Sequence, residues 1–85
     1  MRDDSTTKDD RLSVVVERID PAKNAYRYYV MSVQPNLFGE QSLVREWGRI
    51  GTRGGQHAVE LHHDTGSAQV SLETWLRRKQ RKGYA

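Results

Sequence analysis

The sequence predicts an α+β domain of two layers: an antiparallel sheet of about four strands with one C-terminal helix packed across it. Three observations predict this. Four segments rich in β-branched and aromatic residues follow one another between Ser13 and His63, each bounded by turn-forming residues. From Ala68 the apolar positions change to helical spacing, at Ala68, Leu72, Trp75 and Leu76, extended by the aliphatic stem of Lys79. An 85-residue chain that is 35% hydrophobic supports one modest core, so the helix stripe and one sheet face must bury each other.

The elements follow in order. Residues 1–11 hold four aspartates against Arg2, Lys8 and Arg11 and offer no apolar residue after Met1, so a disordered tail is expected there, with the domain over 12–85. Ser13 to Ile19 (SVVVERI) is the first strand, and Asp20-Pro21-Ala22-Lys23-Asn24 a turn in which proline presets φ. Tyr26 to Gln34 (YRYYVMSVQ) is the second strand, bounded by Pro35. In the loop that follows, Leu37 and Phe38 are expected to tuck against the sheet edge. Ser42 to Ile50 (SLVREWGRI) is the third strand, and Gly51-Thr52-Arg53-Gly54-Gly55 a hairpin turn that needs positive φ. Gln56 to His63 is the fourth. Asp64-Thr65-Gly66-Ser67 supplies a side-chain oxygen as helix N-cap, Leu72, Trp75 and Leu76 of the helix are expected to be mostly buried against the sheet, and Gly83 ends it.

Several functions are excluded or disfavoured. A bilayer-spanning helix needs ~20 apolar residues in a row, and no such run exists. No cysteine is present, which removes disulfides, thiolate metal sites and cysteine nucleophiles. His57, His62 and His63 crowd one strand, and adjacent His62 and His63 point to opposite faces, so no metal site and no cofactor are expected. No nucleophile elbow or paired-carboxylate spacing appears, so the chain is read as not an enzyme. The N-terminus lacks the apolar stretch of a secretory signal, and cytoplasmic residence is expected.

The charge points to a partner. Residues 13–85 hold eleven basic and seven acidic residues, and five of the six residues from Arg77 to Lys82 are basic. Such a cluster (Arg77, Arg78, Lys79, Arg81, Lys82) suits a polyanion. The third strand adds a second feature. A strand has period 2, so Arg45, Trp47 and Arg49 share one face. On that face the tryptophan can stack on a base while the arginines, with Arg53 of the glycine-rich turn, reach phosphates. Equally, Trp47 can be core, packed under the helix with the arginines snorkelling around it.

Trp47-Gly48-Arg49-Ile50-Gly51 with its glycine-rich turn resembles the signature of the WGR domain. Leu43-Val44-Arg45-Glu46 before it, the Asp20–Asn24 turn, the Gln34–Gly39 loop and the closing Lys82-Gly83-Tyr84 fit as well, over about Leu12 to Tyr84. The loop is similar to that of short stand-alone bacterial members. The resemblance implies a mainly antiparallel sheet crossed by a helix. In DNA-dependent poly(ADP-ribose) polymerases the domain binds DNA near a strand break. Carried over, Trp47 would stack on a terminal nucleotide and Gly48 would allow close backbone approach. The arginine at the position of Arg49 mainly contacts neighbouring domains in those polymerases. The expectation is a small, monomeric nucleic-acid-binding module for DNA ends, nicks or single-stranded junctions; the alternative is a protein-interaction module using the same face.

Overall fold

The structure, a computed structural model, describes residues 13–85. The expected tail lies outside the described residues. Strands β1 (Ser13–Asp20), β2 (Ala25–Pro35), β3 (Gln41–Arg49) and β4 (Gln56–His62) form one antiparallel sheet in chain order, and helix α1 (Thr65–Arg81) follows. The α+β reading and its single covered sheet face are those of the sequence.

Register decides which residues meet the helix. Val16 pairs with Tyr29 and Tyr29 with Trp47; Val14 pairs with Met31, Met31 with Arg45 and Arg45 with Ala58. Alternation then places Val14, Val16, Tyr29, Met31, Val33, Leu43, Arg45 and Trp47 on one face. Met31, Leu43 and Tyr29 are buried there with Ala68 and Leu72 of α1, and Val14, Trp47, Trp75, Leu76 and Tyr84 pack around them half-buried.

The turns use the expected chemistry. A short 3₁₀ turn at Pro21–Lys23 ends on Asn24 at φ 51°, and Gly51 and Gly54 take φ +85° and +74° in the β3–β4 hairpin. Asp64 caps α1, its carboxylate accepting the Ser67 N–H at 2.7 Å. Beyond the helix Gly83 sits at φ +101° and turns the chain back. Tyr84 then packs edge-on against Tyr29, and Ala85 and Glu17 exchange both backbone hydrogen bonds, at 3.0 and 2.9 Å, adding a rung to the free edge of β1.

One expectation is corrected. Leu37 and Phe38 do not tuck in; they are 97% and 85% exposed. Asn36 N–H bonds Glu40 O at 2.9 Å, closing the hairpin directly, so the residues between project past the sheet end with nothing to pack on. On the helix, Leu72 is buried, and Trp75 and Leu76 are mostly buried, packing against the core as expected.

Candidate nucleic-acid interface

Arg45, Trp47 and Arg49 do share one face, and it is the face that α1 crosses. Trp47 sits half-buried where the helix cover gives out. Its ring stacks on Tyr29 at 5.6 Å with the planes 14° apart, so one side of the indole is backed by a buried aromatic.

Arg45 lies deeper. Its side chain is only 14% exposed and donates to Tyr29 Oη at 2.9 Å. The guanidinium lies 5.6 Å from the Trp47 ring and 4.0 Å from the Trp75 ring. Its Nε faces Glu60 Oε2 at 3.5 Å, a charge contact without a formed hydrogen bond. Glu60 also accepts from Ser71 Oγ at 2.7 Å and Trp75 Nε1 at 2.9 Å, and contacts His62 Nε2 at 3.2 Å. Burial works to raise the Glu60 pKa, but the hydrogen bonds from Ser71, Trp75 and His62 and the Arg45 charge outweigh it and hold the carboxyl below its ordinary range. Arg45 therefore braces two indoles from inside, the snorkelling arrangement that the sequence left open beside an exposed strand face.

Gly48 turns to the opposite face. A Cβ there would meet the Tyr28 ring at 3.1 Å and Gly55 Cα at 3.2 Å, and one on Gly55 would collide with Tyr28 Oη and Trp47 O. The close approach that Gly48 permits is thus internal, folding the hairpin over Tyr28. That fold leaves a concavity of about 440 Å³, lined by Arg27, Trp47, Gly48, Arg49, Thr52, Gly54, Gly55 and Gln56. Arg49 is exposed and oriented by Asn24, donating to its backbone O at 3.3 Å and Oδ1 at 3.2 Å, with the guanidinium over Tyr26 at 5.3 Å. Arg53 is exposed in the hairpin loop and does not line the concavity.

The basic cluster divides. Trp75, Arg78, Lys79, Arg81 and Lys82 line a second concavity of about 430 Å³; Arg77 lines neither. Lys79 is half-buried, its Nζ 4.4 Å from the Tyr29 ring and 5.5 Å from that of Tyr84. Burial, then the charges of Lys82 and Arg45, hold its pKa below the ordinary lysine value. Sequence reasoning missed Arg27, Tyr29, Glu60 and the surface role of Trp75. Arg27 was within reach, since it pairs with Arg49 across the β2–β3 register.

Comparison with known proteins agrees with this geometry: residues 12–85 match the WGR domain family, with Trp47-Gly48-Arg49 at the concavity. The chain belongs to the WGR domain family. The WGR domain is a non-catalytic module of a nucleic-acid-binding type of family. A curated relative, the uncharacterized protein y4dW of Sinorhizobium fredii (strain NBRC 101917 / NGR234), is 45% identical over 69 residues, covering 81% of this chain and 33% of the relative. The chain thus spans about a third of the length of that relative. No solved structure matches this WGR chain. Among its described residues no group of three or more His, Cys, Asp or Glu is placed to hold a metal ion, and no helix is long and apolar enough to cross a membrane.

Proposed function

We propose that this WGR domain is a non-enzymatic, cytoplasmic module that binds DNA at ends, nicks or single-stranded junctions through the Trp47 concavity. One observation carries the reading: a partly exposed indole, backed by Tyr29, lines a concavity of about 440 Å³ together with Arg27, Arg49 and the glycine hairpin. Trp47 stacks on a nucleotide freed from its neighbours, and Arg27, Arg49 and Arg53 take phosphates. Arg45 positions the indole. Arg77, Arg78, Lys79, Arg81 and Lys82 add attraction that salt screens.

An NMR titration tests this, with a 5′-phosphorylated nicked duplex beside the intact duplex. The expected result is shifts centred on Trp47, Gly48 and the hairpin, stronger for the nick, and an affinity that falls with a slope near −0.9 per phosphate contacted. No salt-dependent shifts at high micromolar DNA would remove the reading. One observation favours a protein partner instead: the sheet face away from α1 exposes Val15, Ile19, Val59 and Leu61. Shifts confined to that face on adding a protein, with DNA silent, would favour docking.

A further inference from the structure

The second concavity has a chemistry of its own. Trp75 forms its wall, but that indole has little left to offer a base. Arg45 lies over its ring at 4.0 Å and Arg78 at 5.1 Å, and its N–H is donated to Glu60. What the concavity presents is cationic: Arg78, Lys79, Arg81 and Lys82. Among the described residues none of these four is paired with a carboxylate; the Glu60 carboxylate behind Trp75 is engaged by Arg45, Ser71, His62 and Trp75 itself. The Lys79 ammonium is packed between two tyrosines and next to further cations, an arrangement that an incoming anion relieves. The site suits an anion, not a base.

The two concavities are joined. Arg45 lies 5.6 Å from the Trp47 ring and 4.0 Å from the Trp75 ring, so the indoles stand within about 10 Å of each other. Lys79, which lines the second concavity, lies over Tyr29, which stacks on Trp47 at the first. That distance is no more than about three base-pair rises of duplex DNA at ~3.4 Å each, so a single strand of a few nucleotides can span it.

We propose that this second concavity is an anion subsite for the phosphodiester backbone of a single strand that continues from the nucleotide at Trp47. It rests on the nucleic-acid reading above and adds the substrate class: an end or junction with a single-stranded extension, in preference to a blunt end. A strand without a complement can leave a base at Trp47 and still bend its backbone toward α1; a paired strand keeps its bases stacked.

Fluorescence anisotropy with two labelled DNAs tests it: one blunt duplex, and the same duplex with a six-nucleotide extension, prepared at either strand end. The wild type is expected to bind one extended form at least ~10-fold more tightly than the blunt one. Arg78→Glu and Lys82→Glu should each lower binding of the extended form by ~10-fold and its salt slope by about 0.7 per lost contact, with a smaller loss on the blunt form. Lys82 is exposed at the helix C-terminus and has no cation–π contact with Trp75 of the kind Arg78 makes, so this variant separates binding from helix packing, and the thermal midpoint of each variant is measured alongside. Arg77→Glu, which changes the same charge outside both concavities, should lower both forms by one common factor. If all three variants lower both forms by the same factor, or the wild type does not distinguish them, the subsite is overturned while the Trp47 reading stands. If the wild type binds neither, both readings fall.

Discussion

At the residue scale the WGR signature divides its labour in a way its letters do not show. Trp47 faces the helix side, Gly48 the opposite side, and Arg49 lies exposed on the helix side over Tyr26. The glycine is there for packing. Gly48→Ala must push a methyl against the Tyr28 ring and Gly55 backbone, and should cost about 1–3 kcal/mol by overpacking. Gly55→Ala should cost more, since its Cβ would collide with backbone as well as with Tyr28. Urea unfolding midpoints check both, and a Gly48→Ala protein of wild-type stability would contradict the packing role. Glu60 makes a second prediction. Its folded-state pKa lies below the unfolded value, so its contribution to stability is complete above the ordinary glutamate value of about 4.3 and is lost as pH falls through the folded value. Glu60→Gln should flatten that acid-side loss. Glu60→Ala, which strips Arg45 and the Trp75 N–H of their partner, should cost about 2–3 kcal/mol, less than the 3–5 kcal/mol of a fully buried pair.

At the element scale the strands and helix are legible in the sequence because each is specified locally. Runs such as SVVVERI and YRYYVMSVQ carry β-branched and aromatic residues, and Asp64 and Gly83 mark the helix ends. Less legible is what long-range pairing decides. The alternation of Arg45, Trp47 and Arg49 is plain from period 2, but that α1 crosses this face, and that Glu60 of β4 and Trp75 of α1 close around Arg45, depends on elements 15 residues or more away meeting in space. Leu37 and Phe38 misled for a related reason: apolar character predicts burial only where a surface is within reach. The helix gives the next prediction. Leu72→Ala should cost about 2–5 kcal/mol, as for a buried leucine. Trp75→Ala should fall near the lower end of the ~3–5 kcal/mol expected of a fully buried tryptophan, because Trp75 keeps some exposure. Denaturant midpoints order the two, and a Trp75→Ala protein as stable as wild type would contradict its packing against Arg45.

At the scale of the whole molecule the charge is unevenly spread. Residues 1–12 carry four aspartates against three basic residues, while residues 13–85 carry a net positive charge. Removing residues 1–11 should raise affinity for DNA slightly, most at low salt, where unscreened charge reaches furthest; unchanged or weaker binding at low salt would contradict this. The net charge supplies attraction without choosing a site; on the proposed reading the Trp47 concavity makes the choice. The most direct measurement is the affinity of Trp47→Ala for the nicked duplex, taken with its unfolding midpoint. The expected result is a folded protein whose binding is weaker by about 1–3 kcal/mol, the value of one base–aromatic stack. A folded variant that binds as tightly as wild type would contradict the stacking role, and a variant that no longer folds would make Trp47 a core residue first.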